Sequence, residues 1–401
     1  MERETQELLA KDSGEYGFDA ALEHANFGNY HIQQLTLAAA SLLAIACIDT
    51  SDTYTLPQLG KELSVTIAQQ SHYVVAYNSG LLVGTGVFTW LSQSIGRRTL
   101  LAISFTVAFV AQILMAALGT GPEQWTTILV FRALVGVGNG GAIPLNAILI
   151  SEKLAPSNRG TRLSAIGIGW FLGDLYLVIL AQSMHSLGWR MFNVLVALPC
   201  VLVLATLPKV TESPRFLFIT QGKDVAQLEL ESIATINLCP LPAGTSLADT
   251  PKEIREEQAE LPIASAFRVL LGPSFFRTTL LLWVIWFCIA FVLNLTTFVP
   301  LILMSKHAVS QTRVYQLLFL IVLAEPASIA TSMSMIDSIG RLAMMWVPMF
   351  IATASAFCFA FSNSLALSVL FLGLEGFFLS VAFTGCHAYT SEAYPTVVRS
   401  L

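Results

Sequence analysis

Long apolar stretches of about 20 residues recur along this chain, and short segments between them carry most of the charged residues. A helix that crosses a membrane needs about 20 predominantly apolar residues, so the pattern predicts membrane-spanning helices. The predicted spans are 35–57, 72–93, 99–119, 126–150, 162–186, 190–207, 279–303, 315–336, 343–362 and 364–390. The fold class predicted from this pattern is an all-α integral membrane protein.

A polar stretch between the sixth and seventh spans divides the chain into two halves. Its prolines and charged residues predict a loop, with a short amphipathic helix near 224–237. The predicted parts are an N-terminal tail (1–34), a six-helix bundle (35–207), a central loop (208–275) and a second bundle of four helices (276–401).

The composition agrees with a membrane protein. Hydrophobic residues make up 55% of the 401 residues and charged residues 12%, which is about half the charged share of soluble domains. A net charge of −5 argues against a nucleic-acid partner. The histidines and cysteines lack metal-ligand spacing, and no nucleophile lies beside a base. We therefore expect neither a cofactor nor an enzymatic activity.

The basic residues predict the orientation of the spans. Of the 21 basic residues, Arg132 lies inside a span and four lie on the side opposite the N-terminus, which leaves sixteen on the N-terminal side. Those four are Lys61, Arg190, Lys306 and Arg313. Because loops rich in lysine and arginine stay in the cytoplasm, the N-terminus and the central loop are predicted to be cytoplasmic.

Two short motifs occur twice. Ile95-Gly96-Arg97 returns as Ile339-Gly340-Arg341, at an offset of 244 residues, and the pair Glu152 and Arg159 returns as Glu392 and Arg399, at an offset of 240. A near-constant offset between motifs that flank spans indicates a duplicated half-chain, an architecture typical of secondary transporters. Two spans follow Arg159, whereas the chain stops at Leu401, so we expect six plus four helices where the complete fold has twelve.

Further motifs resemble one transporter family. The loop Thr89–Arg98 is similar to the family sequence G-x-L-x-D-R-x-G-R-R, with Gln93 in place of its aspartate. The fourth span carries Arg132, then several glycines and Pro144, and Thr211–Leu217 resembles P-E-S-P-R-W-L. The repeated Glu–Arg pairs resemble the element E-x-x-P-x-x-x-R that closes the fourth helix of each half.

Together these motifs resemble the major facilitator superfamily, and residues 282–287 and 389–396 are similar to its synaptic-vesicle-protein and organic-ion branch, next to the sugar porters. The resemblance implies a monomeric secondary active transporter that moves a small organic solute by alternating access with proton coupling, as a symporter or an antiporter. Two alternatives stay open: a membrane receptor on the same fold, which does not transport, and an inactive truncated product.

Three ionisable residues inside spans are candidates for proton coupling. A charge at the bilayer centre costs roughly 2.5–3.5 kcal/mol, so Asp49, Asp52 and Arg132 each need a reason to be there. The two aspartates are three residues apart on one helical face, and close carboxylates do not both ionise readily. The resemblance implies that Asp49 pairs with Arg132 and carries the proton. The alternative is a static ion pair that neutralises the arginine.

Polar side chains on the fourth, seventh and tenth spans are candidates for contact with the solute. They are Asn139, Asn146, Trp286, Asn294 and Glu375. Amide and aromatic groups facing a cavity can hold an organic molecule by hydrogen bonds and cation–π contact. Glu375 could instead bond between helices as a neutral acid. The glycines of the fourth span are expected to allow close helix contact rather than to bind a ligand.

Charged residues at the cytoplasmic ends of the spans resemble the charge network of the family. They are Arg97, Arg98, Glu152, Arg159, Glu212, Arg215, Asp337, Arg341, Glu392 and Arg399. By resemblance, such a network keeps the inner side closed in the outward-open state and breaks when the transporter turns inward. Ordinary positive-inside charge is the alternative, although it explains the arginines and not the acids.

Overall fold

The computed structural model describes residues 15–119, 124–242, 244–249, 268–336 and 338–393. The helices up to the central loop are α1 (Phe18–His24), α2 (Asn29–Thr50), α3 (Asp52–Glu62), α4 (Ile67–Ile95), α5 (Arg97–Leu118), α6 (Trp125–Ser151), α7 (Arg159–Ala165), α8 (Ile168–Gln182) and α9 (Met184–Thr206). The later helices are α10 (Pro214–Gln221), α11 (Lys223–Ile236), α12 (Phe276–Thr296), α13 (Val299–His307), α14 (Gln311–Val322), α15 (Glu325–Met335), α16 (Arg341–Phe361) and α17 (Leu365–Ala393). Single 3₁₀ turns occupy Pro156–Asn158 and Leu207–Lys209.

Ten helical segments in the described ranges are long and apolar enough to cross a membrane, as the hydropathy pattern predicts. They are, in order, Asn29–Glu62, Ile67–Ser92, Arg97–Leu118, Trp125–Ser151, Arg159–Gln182, Gly188–Lys209, Phe276–Thr296, Gln311–Met335, Arg341–Phe361 and Leu365–His387. The first span begins six residues before its apolar stretch because His31 and Gln34 find polar partners there. His31 bonds the carbonyl oxygen of Lys153, and Gln34 donates to that of Lys209.

The second and fourth spans approach so closely that their backbones touch. A Cβ atom added to Gly80 or Gly84 would lie 1.9 or 2.1 Å from a carbonyl oxygen of the fourth span. The reverse holds for Gly136 and Gly140, whose added Cβ atoms would lie 2.1 and 2.2 Å from carbonyl oxygens of the second span. The expectation that the glycines of the fourth span serve close helix contact is confirmed, as in other membrane bundles where small residues line the interface.

The repeated Ile-Gly-Arg motif has the same geometry in both halves. Gly96 and Gly340 each precede a span and have φ, ψ values of 97°, 146° and 89°, 146°. A positive φ of this kind favours glycine. The following arginines also match, since Arg97 donates to the carbonyl oxygen of Ser92 and Arg341 to that of Ile336, five residues back in both cases.

A small unit, which we term the loop-side cap, covers one end of the first bundle. It consists of α1, α10, α11 and two short parallel strands, β1 (Glu15–Tyr16) and β2 (Ser246–Leu247). Helix α11 is the predicted amphipathic helix, and it buries Leu230 and Ile233 against Phe18 and Leu22 of α1. The face of the molecule that carries the cap is called the loop side below, and the opposite face the far side.

The two bundles meet along the fifth and eighth spans. Leu177 and Val178 of the fifth span share a buried apolar cluster with Val314 and Tyr315 of the eighth. The Tyr315 hydroxyl donates to the carbonyl oxygen of Tyr54 at 2.9 Å, and the two rings lie 5.4 Å apart. The first span therefore also contributes to this interface.

Candidate functional site

Arg132 lies buried in the fourth span, and its ion-pair partner is Asp52. The Nη2 atom of Arg132 is 2.6 Å from Oδ1 of Asp52, and the two side chains are 0% and 4% exposed. The same Nη2 donates to the carbonyl oxygen of Ile48 at 3.3 Å. The pairing of Arg132 with Asp49, expected from the resemblance, is therefore corrected to a pairing with Asp52.

The shape of the first span explains this correction. The span is interrupted at Ser51, where α2 ends and α3 begins, and the amide of Tyr54 donates to the carbonyl oxygen of Ser51 at 3.1 Å. Residues four apart lie on the same face of a helix, so Asp52 lies on the face of Ile48 whereas Asp49 is turned away from it. Because Arg132 bonds the carbonyl oxygen of Ile48, Asp52 is the carboxylate that it reaches.

Asp49 belongs to the same cluster through Tyr77, a residue that the sequence analysis missed. The Tyr77 hydroxyl donates to Oδ1 of Asp49 at 2.7 Å and accepts from Nδ2 of Asn139 at 2.7 Å. The guanidinium carbon of Arg132 lies 4.1 Å from the centre of the Tyr77 ring, within cation–π range. A second tyrosine, Tyr73, contacts the guanidinium at 5.1 Å. The spacing of four between these tyrosines is the signal that could have found them.

The cluster holds two carboxyl groups against one guanidinium. One carboxylate of the pair Asp49 and Asp52 can be neutralised by Arg132, and the other relies on the tyrosine hydroxyl or on a proton. The Nε and Nη1 atoms of Arg132 are buried without a hydrogen-bond partner among the described residues. A buried guanidinium with unused N–H groups can donate hydrogen bonds to a second carboxylate, so the geometry allows Arg132 to change partner.

Two of the predicted solute contacts are instead used between helices. Asn139 is buried and donates to the carbonyl oxygen of Ile45 as well as to Tyr77. Asn146 is also buried and donates to the carbonyl oxygen of Ala38 at 3.2 Å. Both amides thus join the fourth span to the first. In this conformation their amide nitrogens bond Ala38, Ile45 and Tyr77, and contact of these two residues with a solute stays a prediction.

The other three predicted contacts lie in the second half. The Trp286 indole donates to the Thr390 hydroxyl at 3.1 Å, and its ring packs edge-on against His387. Asn294 accepts from Asn78 of the second span at 2.7 Å, a hydrogen bond that joins the two bundles. Glu375 is buried, with 7% of the residue exposed. The role of these three residues in binding stays a prediction.

The charged residues predicted to form a network at the span ends are called the gate charges below. Those of the first half form two groups on the loop side. In the first, Nη2 of Arg97 lies 3.3 Å from Oε1 of Glu152. Glu212 accepts the backbone amide of Arg98 at 3.1 Å, at the N-terminus of α5, where a carboxylate is favoured by the free amides and the helix dipole. These contacts tie together the ends of the third, fourth and sixth spans.

The second group is centred on Asp19 of the loop-side cap, which the sequence analysis missed. Arg159 and Arg215 lie 3.4 and 3.0 Å from Oδ1 of Asp19. Arg341 is half-buried and bonds the carbonyl oxygen of Ile336. The remaining predicted gate residues lie outside what the structure describes: Asp337 and Arg399 entirely, and Glu392 in its side chain. The expected second copy of the network therefore stays a prediction.

Lys153 is a further buried charge beside this network. Its Nζ donates to Gln34 at 3.0 Å and to the carbonyl oxygen of Thr211 at 2.5 Å, and the residue is 1% exposed. Burial lowers the pKa of Lys153 from its ordinary value of 10.5 to about 7, although Glu229 and Glu212 act in the opposite direction. The ammonium thus titrates near neutrality at the end of the first bundle.

Comparison with known proteins identifies relatives along nearly the whole chain. The family model described as Major Facilitator Superfamily matches residues 38–401. The synaptic vesicle 2-related protein of Xenopus laevis is 28% identical over 95% of this chain and 71% of its own length. The organic cation/carnitine transporter 7 of Arabidopsis thaliana is 26% identical over 98% and 85%. The niacin transporter NiaP of Acinetobacter baylyi is 25% identical over 94% and 84%.

Solved structures with the same fold include the xylose transporter XylE from E. coli in a partially occluded inward-open conformation. It matches with a TM-score of 0.74 and 16% identity, over 93% of this chain and 89% of that one. A bacterial homologue of the human lysosomal transporter Spinster, in an inward-facing conformation, matches with a TM-score of 0.60 and 16% identity, over 93% and 78%. These matches establish the arrangement of helices.

Proposed function

Because the chain belongs to the Major Facilitator Superfamily, whose members are membrane transporters and not enzymes, we propose that it is a proton-coupled carrier of a small organic solute. It is a multi-pass integral membrane protein. The proposal adds two elements: the coupling of solute movement to protons, and alternating access by relative movement of the two bundles.

The ion pair between Asp52 and Arg132 is the observation that carries the proposal. A proton that binds to Asp52 removes the partner of a buried guanidinium, and a buried charge without a partner is destabilising by about 3–5 kcal/mol. Arg132 then turns to Asp49, which the Tyr77 hydroxyl holds nearby. Protonation thereby changes how the first span packs on the fourth, which is the kind of change that can drive a transporter between states.

Contacts between the bundles support alternating access. On the far side, Lys61 donates to Gln311 at 3.4 Å and Tyr315 donates to Tyr54, and both bonds cross from the first bundle to the second. On the loop side, the ion pairs found among the described gate charges stay within the first half and its cap. This arrangement suits a state closed on the far side, and the bonds that cross there must break when it opens.

The charges inside the spans favour a cationic or zwitterionic solute. Among the described residues, the spans hold the buried or half-buried carboxyl groups of Asp49, Asp52, Asp174, Glu325 and Glu375 against the guanidinium of Arg132. Unbalanced carboxylates in a membrane attract either protons or an organic cation. The name of the Arabidopsis relative, an organic cation/carnitine transporter, agrees with this choice.

The test uses purified chain in liposomes, with carnitine, nicotinate and xylose as labelled probes. With Asp52→Asn we expect accumulation driven by an inward proton gradient to fall to the level without a gradient, while solute exchange continues, since exchange needs no net proton movement. Glu62→Gln, in the same helix but exposed, is the matched control and should behave as the parent. If Asp52→Asn accumulates solute as the parent does, proton coupling through this pair is refuted.

A further inference from the structure

A second pair of acids lies in the contact between the two bundles, away from Arg132. Asp174 is on the fifth span and Glu325 on the eighth, and their side chains are hydrogen-bonded to each other. The fifth span belongs to the first bundle and the eighth to the second. We propose that Asp174 and Glu325 form a proton-binding site that fastens the two bundles together, and that loss of this proton loosens the contact between the fifth and eighth spans.

Each acid is held in place by its own helix and neighbours. Asp174 accepts from the Thr50 hydroxyl at 2.6 Å and bonds the Trp170 side chain. Glu325 is the first residue of α15, directly before Pro326 and after the interruption that ends α14. The partner of its side chain is Asp174 of the first bundle, rather than the backbone groups that the proline leaves free.

The chemistry of the contact requires a proton. An ionised carboxylate only accepts hydrogen bonds, whereas a carboxylic acid also donates one. A hydrogen bond between Asp174 and Glu325 therefore forms only when one of them carries a proton. If both were ionised, they would repel each other across the interface, because like charges at this separation interact strongly in a medium of low dielectric.

The surroundings of the pair do not supply a positive charge that could replace the proton. The titratable groups that act on it are Asp49, Tyr54 and Cys47 of the first span. Within the described residues, none of the groups that bond or act on the pair is a lysine, an arginine or a histidine. The carboxyl of Asp49 adds further negative charge. The site is thus built to retain one proton.

This site differs in kind from the pair of Asp52 and Arg132. The ion pair lies within the first bundle, so its protonation changes packing inside that bundle. The acid pair crosses between bundles, and Leu177 and Tyr315 show that apolar contacts surround it on the same interface. The inference does not depend on coupling at Asp52. A carrier driven by another ion would still have its bundles joined by this proton.

The test measures the distance between the fifth and eighth spans as a function of pH. Spin labels are attached at Ile179→Cys and Leu320→Cys, two exposed positions, in purified chain whose native cysteines are replaced. Raising the pH from about 5 to about 9 should deplete the short-distance population at least about twofold. In Glu325→Gln and Asp174→Asn the amide donates whether or not the remaining carboxyl group is ionised, so each variant should hold the short distance at every pH.

Glu62→Gln is the matched control, since it removes an exposed acid from another span, and it should respond to pH as the parent does. A parent distance that ignores pH, or a Glu325→Gln variant that still responds to it, would overturn the proposal. A distance that follows sodium concentration at constant pH would also overturn it, in favour of a metal cation. If neither variant folds, infrared spectra of the parent provide the test. The site predicts a carboxylic-acid carbonyl band that disappears as the pH rises, and spectra without such a band would refute it.

Discussion

Replacing Gly84 by alanine tests the backbone contact between the second and fourth spans. The added Cβ would lie 2.1 Å from the carbonyl oxygen of Val137, whereas real Cβ atoms stay at least 3.0 Å away, so the helices must separate by 0.9 Å. Overpacking of this kind costs about 1–3 kcal/mol. Alanine recovers about 0.5–1 kcal/mol through its better helix propensity. The net expectation is a loss of up to about 2.5 kcal/mol of folding stability, with about 1 kcal/mol as its middle value.

The assay is thermal unfolding of the purified chain in detergent, followed by the loss of the monodisperse chromatographic peak. Gly86→Ala is the matched control in the same helix, because nothing lies within 4 Å of its added Cβ. We expect Gly84→Ala to unfold below the parent and Gly86→Ala at or slightly above it, on the order of 1–2 °C per kcal/mol for a chain of this length. Equal unfolding temperatures for the two variants would refute the reasoning.

Two more predictions concern the loop side. The pKa of Lys153 is about 7 in the folded state, whereas its ordinary value is 10.5. Between pH 7 and pH 10.5 the folded state therefore binds fewer protons than the unfolded state, and the free energy of unfolding should rise with pH across that window by up to roughly 5 kcal/mol. Lys153→Met should flatten this rise in thermal unfolding scans, and an unchanged slope would contradict the assignment. Single cysteines at the exposed positions Ser310 and Gln221 test the orientation. A cysteine at Ser310 should react with an impermeant reagent on intact cells, whereas one at Gln221 should react only after permeabilisation. Reaction of Gln221→Cys on intact cells would reverse the predicted topology.

Features that depend on local sequence could be predicted from the sequence alone. The ten spans follow from the length of apolar stretches, and α11 follows from the spacing of its apolar residues, because both depend on neighbours along the chain. The equal backbone conformations of Gly96 and Gly340 follow from the repeated motif, since a positive φ is a local property that glycine permits. The glycines of the fourth span likewise pointed to close helix contact.

The choice of partners was decided by the tertiary structure. Arg132 could pair with either aspartate as far as spacing shows, and the packing of the fourth span on the first selected Asp52. Asp19 meets Arg159 and Arg215, and Asp174 meets Glu325, although these residues are far apart along the chain. The physical reason is that an ion pair or hydrogen bond requires contact within about 3 Å, and the rotation and height of each helix, which set that distance, come from the packing of the whole bundle.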